Sequence, residues 1–134
     1  MASTNHERIA RQVPDAWNTH DVERVVACYT PDLVYRDPGT RGEVRGADAF
    51  RRYLRRMFAS WRMHWSAREI FPFDGTDGTT VLWRATLTPV GGDTTVEVEG
   101  IDLVILEGDR LKRNEVYFDR AALAPLLTPR SQLG

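Results

Sequence analysis

The stretch 94-TTVEVEGIDLVILEGDRLKRNEVYF-118 decides the fold, because apolar and polar residues alternate along much of it. A period of two is typical of strands that bury one face. The turn sequence EGD divides the stretch in two, and DGTDG and VGGD separate two earlier segments of the same kind. The sequence therefore predicts a meander of four antiparallel strands at 63–73, 79–89, 94–107 and 110–118.

The chain before this meander has helical spacing instead. Apolar residues recur at helical intervals over 9–17, where Pro14 either kinks the helix or marks the start of a second segment. Asp21 is a suitable N-cap for a second helix that stops before Pro31 and has the apolar stripe Val22, Val25, Val26 and Tyr29. A third, strongly amphipathic helix is predicted over 47–60.

Short elements complete the predicted order. A strand at 33–35 ends at Asp37-Pro38-Gly39, because proline cannot continue a strand ladder and Pro-Gly favours a turn. Asp119 caps a last helix at 120–127, and the polar tail at 128–134 is expected to be loose. The order indicates one α+β domain over 1–134, a curved antiparallel sheet wrapped around three N-terminal helices with a pocket between the layers.

The composition of the 134-residue chain excludes several classes of chemistry. A single cysteine, Cys28, rules out an intramolecular disulfide and a cysteine-cluster metal site. The three histidines are widely separated, so no metal is expected, and Lys112 is the only lysine available for a Schiff base. We find no phosphate-binding loop, dinucleotide fingerprint or GxSxG motif, and we expect no cofactor.

The sequence also lacks membrane and secretion signals. No apolar run approaches the roughly 20 residues that cross a bilayer, and the first residues lack the apolar core of a signal peptide. We therefore expect a complete cytoplasmic chain that does not enter a membrane.

Eight arginines lie between Arg41 and Arg68, and four of them are on one side of the third helix. Such a cluster suits phosphate, nucleic acid or an acidic carrier protein. An arginine-rich helix face is more often simply solvated, and the formal net charge of the chain is -1. We therefore favour the solvated face, an apolar ligand and no nucleic-acid partner.

Two carboxylates stand out for their positions. Alternation places Asp102 on the otherwise apolar face of its strand, where burial would raise its pKa and keep it protonated at neutral pH. The alternative is an ion pair with Arg84 or Arg113 across the sheet. Asp37 is an ordinary turn residue when taken alone, but together with Asp102 it matches the pairing of a carboxylate base with a neutral carboxylic acid.

Aromatic residues are the candidates for lining the hollow. Trp17 and Trp83 are predicted to face it, each with an indole N–H to offer. Tyr35, Tyr53 and Tyr117 are further candidates for ligand contacts. The sequence does not decide whether the strand face shared by Tyr117 and Glu115 points inward.

Several motifs together resemble a known superfamily. They are Asn18-Thr-His-Asp21, the helix ending in Tyr29, Leu33-Val-Tyr-Arg-Asp37-Pro-Gly39 and Arg45-Gly-Ala-Asp-Ala-Phe50. Over residues 8–127 the chain resembles the nuclear transport factor 2-like (NTF2-like) superfamily, in particular its ketosteroid isomerase and SnoaL-like polyketide cyclase branches. The resemblance implies a cone-shaped NTF2-like fold.

The resemblance also implies roles for single residues. Asp37 takes the place of the proton-abstracting aspartate of ketosteroid isomerases, and Asp102 that of their protonated oxyanion-hole aspartate. Val13 stands where these isomerases have an oxyanion tyrosine, which leaves Tyr35, Tyr53 or Tyr117 as substitute donors. Val116 replaces the acid–base aspartate of the cyclases, and Gly100 replaces the arginine of limonene epoxide hydrolases, so that branch is set aside.

These observations lead to two functional hypotheses. The first is a cofactor-independent isomerase or cyclase-like enzyme that removes a proton next to the carbonyl of a small steroid-like or polyketide-like compound and stabilises the enolate. The second is a non-catalytic module that binds a small ligand or dimerises. In either case we expect a homodimer through the open face of the sheet.

Overall fold

Helices dominate the first part of the chain and long strands the second, as the sequence predicts. The structure, a computed structural model, describes residues 2–127, so the predicted loose tail lies outside the described residues. The first half contains α1 Ala2–Asn18, α2 Val22–Val26, β1 Tyr29–Arg36, β2 Val44–Arg45 and α3 Ala47–Ser60. The second half contains β3 Trp61–Pro72, β4 Gly78–Pro89, β5 Val96–Glu107, β6 Arg110–Tyr117, a 3₁₀ turn Arg120–Leu123 and α4 Ala124–Leu127.

The six strands form one curved, open sheet in the order β2-β1-β6-β5-β4-β3. The predicted antiparallel meander from β3 to β6 is confirmed. The expectation of a purely antiparallel sheet is wrong at one place, because β1 pairs with β6 in parallel. The connection between these two strands contains α3 and three long strands, which gives the chain ample length to return in the same direction.

The second helix is shorter than predicted. It ends at Val26, and Tyr29 begins β1 instead of completing the helical stripe. Asp21 caps the helix as expected, by accepting hydrogen bonds from the backbone N–H groups of Glu23 and Arg24. Pro31 fits within β1 because it lies where the register with β6 shifts, between Tyr29 and Val34, so no ladder hydrogen bond is lost there.

The three N-terminal helices pack against one face of the sheet and share a core with it. α1 continues through Pro14 as one helix, so no second segment starts there. α3 has its predicted bounds and buries Phe50 and Leu54, while Arg52, Arg55 and Arg56 are exposed. None of the helices in residues 2–127 is long and apolar enough to cross a membrane.

Candidate active site

A narrow apolar cavity lies between α1 and the sheet. Asp102 of β5 is opposite Val81 of β4 and Val116 of β6, so all three side chains project from the same face. Together with Val13 and Trp17 of α1 they line a cavity of about 50 Å³. We call this space the inner cavity, and nearly all of its wall is apolar.

The Asp102 carboxylate accepts hydrogen bonds only from neutral groups among the described residues. The indole N–H of Trp83 donates to Oδ1 at 2.7 Å, and the side-chain amide of Asn114 donates to Oδ2 at 3.3 Å. The alternative of an ion pair across the sheet is wrong. Arg84 pairs with Glu97 and Glu99 and Arg113 pairs with Glu115, so neither guanidinium reaches Asp102.

Enclosure in these apolar surroundings raises the pKa of Asp102 to about 7. Burial is the main cause, because an ionised carboxylate loses hydration there, and the negative charge of Asp37 adds to the rise. The hydrogen bonds from Asn114 and Trp83 act in the opposite direction by stabilising the ionised form. Asp102 therefore exists in both protonation states near neutral pH, whereas the sequence suggested that it would stay protonated.

A chain of hydrogen bonds between buried side chains leads to Asp102. The indole N–H of Trp17 donates to the Tyr29 hydroxyl at 3.3 Å, and that hydroxyl donates to Oδ1 of Asn114 at 2.8 Å. The Asn114 amide then donates to Asp102 and to the Leu103 carbonyl, both at 3.3 Å. These contacts fix the orientation of the amide, so that it presents N–H and not C=O to the carboxylate.

Sequence pattern alone does not point to Tyr29 or Asn114. It predicts a helix at Tyr29, and Asn114 lies in the polar run Lys112-Arg113-Asn114-Glu115, where alternation gives no sign of the inward face. The available signal was the resemblance, which places Val116 at the position of the acid–base aspartate of the cyclases. Asn114, two residues earlier on the strand, then shares its face.

A second, wider cavity lies beside the first and opens near the β1–β2 loop. We call it the outer cavity; its volume is about 590 Å³. The two cavities share Tyr35, Trp65 and Val116 in their walls. The two cavities are therefore adjacent. Asp37 lines only the outer one.

The Asp37 carboxylate is surrounded by donors. Its Oδ1 accepts hydrogen bonds from the backbone N–H groups of Gly39 at 2.7 Å and Thr40 at 3.0 Å. Its Oδ2 accepts the hydroxyl of Tyr35 at 2.8 Å and also the hydroxyl of Tyr53. A carboxylate offers about four lone-pair positions, so these four donors leave none for a ligand unless one of them moves.

Burial keeps the hydroxyls of both tyrosines protonated. Desolvation raises the pKa of Tyr35 and of Tyr53 well above the usual tyrosine range, and the nearby Asp37 carboxylate raises both further. Both side chains are therefore hydrogen-bond donors at any physiological pH. Tyr35 is the one of the two that also lines the inner cavity.

The SnoaL-like domain model matches residues 10–114. The chain belongs to the SnoaL-like family. This confirms the resemblance to the NTF2-like superfamily that the sequence motifs indicated. Among curated protein sequences, none matches this chain.

Solved structures with the same fold include several enzymes and enzyme-like proteins. A putative isomerase from Bacillus subtilis is 10% identical to this chain, with a TM-score of 0.83, and the match covers 93% of this chain and 94% of the isomerase chain. SalBIII, an epoxide hydrolase/cyclase-like enzyme in pyran ring formation, is 18% identical with a TM-score of 0.79, covering 91% and 97%. A ketosteroid isomerase-like protein from Erwinia carotovora atroseptica is 20% identical with a TM-score of 0.68, covering 94% and 96%.

This SnoaL-like protein brings most of the predicted ligand contacts together. Trp17, Trp83 and Tyr35 line the inner cavity, and Tyr53 lines the outer one. Tyr117 lines neither cavity. It lies with Glu115 on the face of the sheet that points away from the cavities, where Tyr117 is 49% exposed and its hydroxyl donates to Glu115. The structure therefore does not place Tyr117 where a ligand contact was expected.

Gly100 contributes to the position of Trp83. A Cβ at residue 100 would clash with the Trp83 ring and would lie 2.6 Å from the carbonyl oxygen of Tyr117. Because only glycine leaves this space open, the indole can lie against β5 with its N–H on Asp102.

Within residues 2–127, no three histidine, cysteine, aspartate or glutamate side chains are grouped as a metal site would require.

Proposed function

We propose that this SnoaL-like protein is a cofactor-independent isomerase or cyclase-like enzyme that acts on a small hydrophobic carbonyl compound by proton transfer. One observation carries the proposal. The Asp102 carboxyl, with its pKa raised to about 7, faces an apolar cavity and has only neutral hydrogen-bond partners among the described residues. General acid–base catalysis is most effective when the pKa of the group lies near the working pH.

In the proposed reaction the ionised Asp102 accepts a proton from the carbon next to the substrate carbonyl. The C–H bond breaks, an O–H bond forms on Asp102, and the electron pair moves onto the carbonyl oxygen as an enolate. The same proton then returns to another carbon, which completes an isomerisation. Alternatively, the enolate carbon attacks a second carbonyl carbon of the same molecule, which closes a ring; the C=O π electrons move onto that oxygen, and it takes the proton back from Asp102. Neither route needs a co-reactant.

The proposal gives Asp102 the role of base that the sequence motifs suggested for Asp37. Four donors already occupy the lone pairs of Asp37, whereas the lone pairs of Asp102 are only partly used. Tyr35 is the proposed donor to the enolate oxygen, in place of the tyrosine that Val13 replaces. When Tyr35 turns to the substrate, Asp37 keeps the other three donors.

Deuterium exchange tests the proposal without knowledge of the natural substrate. β-Tetralone, a bicyclic ketone, is incubated in deuterium oxide with the wild-type protein or with Asp102→Asn, and loss of its α-proton signal is followed by NMR. We expect the variant to be slower by about 100-fold or more, the usual contribution of a positioned base. The exposed Asp32→Asn is the matched control and should exchange at the wild-type rate.

The direction of the pH profile distinguishes the two possible roles of Asp102. If Asp102 is the base, the exchange rate rises with pH and levels off above about 7, because the ionised form is needed. If Asp102 is instead the neutral donor and Asp37 the base, the rate falls above that pH. An unchanged rate in Asp102→Asn would reject both roles.

A non-catalytic binding module is the second candidate function, and the saturation of Asp37 favours it. A carboxylate with four satisfied hydrogen bonds stabilises a loop and two tyrosines without any chemistry. Saturable binding of β-tetralone with no wild-type exchange above the solvent rate would support this candidate.

We also propose that the protein forms a homodimer through the outer face of the sheet. Ile101 and Tyr117 are paired on neighbouring strands there and are 39% and 49% exposed. Light scattering after size exclusion should give twice the chain mass, and Ile101→Glu should give a monomer. A wild-type monomer at micromolar concentration would contradict the proposal.

A further inference from the structure

The outer cavity carries arginines from three separate parts of the chain. Arg41 lies in the loop between β1 and β2, Arg56 lies on α3, and Arg120 begins the 3₁₀ turn after β6. All three residues are exposed and line this same cavity. The fold thus concentrates positive charge at one opening, which the sequence alone did not show.

These three arginines lack the ion pairs that other arginines of the chain form. Arg51, on the same helix as Arg56, binds both Glu23 and Asp48. None of the three guanidinium groups at the outer cavity forms an ion pair with a carboxylate within residues 2–127. Their N–H donors are therefore available to a ligand, in the planar geometry that suits an oxyanion.

The two carboxylates that line the same cavity already have partners other than these arginines. Glu43 pairs with Arg45 at 2.5 Å. Asp37 receives its four hydrogen bonds from two tyrosines and two backbone N–H groups. Neither acid neutralises the three arginines directly, so the opening keeps an excess of positive charge.

We propose that the outer cavity binds an oxyanion group of the ligand, while the apolar part of the ligand extends along Trp61 and Trp65 toward the inner cavity. This inference rests on the proposed function and narrows it, because it makes the substrate an amphipathic anion and not a neutral hydrophobe. The oxyanion is either an acid group on the substrate itself or a phosphate of a carrier attached to it.

Two fluorescent probes with the same aromatic skeleton test the inference. Anilinonaphthalene sulfonate carries an oxyanion, and N-phenylnaphthylamine lacks it. We expect the sulfonate to bind the wild-type protein more tightly at low salt. Its affinity should fall when salt is raised from about 10 mM to about 1 M, because the Debye length shrinks from about 30 Å to about 3 Å. The neutral probe should show no such loss.

Arginine variants locate the effect. Each of Arg41→Gln, Arg56→Gln and Arg120→Gln should weaken the sulfonate by about two- to fivefold, the usual range for an exposed ion pair, and leave the neutral probe unchanged. Arg55→Gln is the matched control, since it removes the same charge from the same helix but lines neither cavity. Equal losses in Arg55→Gln and Arg56→Gln, or no loss in any of the three variants, would overturn the inference.

Competition identifies the source of the oxyanion. Displacement of the sulfonate probe by naphthoate but not by coenzyme A indicates an acid group on the substrate, and the reverse indicates a phosphate-bearing carrier. Displacement by neither overturns the inference. Because binding is measured without turnover, normal arginine effects with no deuterium exchange would reject only the proposed function, and exchange without arginine effects would reject only this inference.

Discussion

Asp102 of the inner cavity and Asp37 of the outer cavity are carboxylates in opposite surroundings. In the inner cavity, Asp102 has two neutral donors and apolar walls, and its pKa rises to about 7. In the outer cavity, Asp37 has four donors, and three arginines line the same opening. Burial between apolar walls raises the pKa of the Asp102 carboxyl toward neutral pH, whereas the Asp37 carboxylate is held in place by its own loop and two tyrosines.

The largest expected effect concerns stability at the inner carboxylate. An aspartate in the unfolded chain has a pKa of about 3.9, so between that pH and about 7 only the folded chain keeps the Asp102 proton. The free energy of unfolding should therefore fall as pH rises through this window, by about 4 kcal/mol in total for this group.

Asp102→Asn lacks this titration and serves as the reference. Urea unfolding of both proteins should show wild type losing about 4 kcal/mol relative to the variant between pH 4 and pH 8. If the two stability curves stay parallel over this range, the pKa of Asp102 is not raised in the folded chain.

Gly100→Ala is expected to disturb the wall of the inner cavity. The new methyl group would meet the Trp83 ring and the Tyr117 carbonyl oxygen, and overpacking of this kind typically costs about 1–3 kcal/mol. Urea unfolding measures the loss. Gly42→Ala is the control. An alanine at the positive φ of residue 42 is strained in its backbone, but no atom lies within 4 Å of the added carbon, so this variant measures backbone strain without overpacking.

Trp83→Phe removes one of the two donors to Asp102. Because the indole N–H stabilises the ionised carboxylate, its loss should raise the pKa of Asp102 further. Trp65→Phe is the matched control, since Trp65 lines the same cavity but its Nε1 has no hydrogen-bond partner among the described residues. Carbon-detected NMR titration of the Asp102 carboxyl distinguishes the two variants, and equal pKa values in both would contradict the role of Trp83.

The smallest effect is expected at the outer carboxylate. Tyr53→Phe removes one of the four donors to Asp37, and the remaining three keep the loop in place, so the loss of stability should be about 1 kcal/mol. Urea unfolding measures this value. A loss several times larger would show that Asp37 depends on Tyr53 far more than the number of its donors suggests.

Local pattern predicted much of the fold and part of the site. Alternation in β5 was enough to place Asp102 on the inner face, and helical spacing was enough to bound α3. The parallel pairing of β1 with β6 was not predictable in this way, because it depends on contacts between residues that are remote in sequence. The contacts of Asn114 with Tyr29 and the grouping of the three arginines likewise arise only in the folded chain.

The parallel pairing of β1 with β6 also has a consequence for the order of assembly. The Tyr29–Asn114 hydrogen bond joins residues 85 positions apart, whereas the β3–β6 meander is built from neighbouring hairpins. Closing the longer loop has a larger entropic cost, so we expect the meander to form first and β1 to dock afterwards. During synthesis β1 must wait until β6 has left the ribosome. The hydrogen bonds that orient Asn114 toward Asp102 are therefore expected to form last, after the sheet that carries both residues.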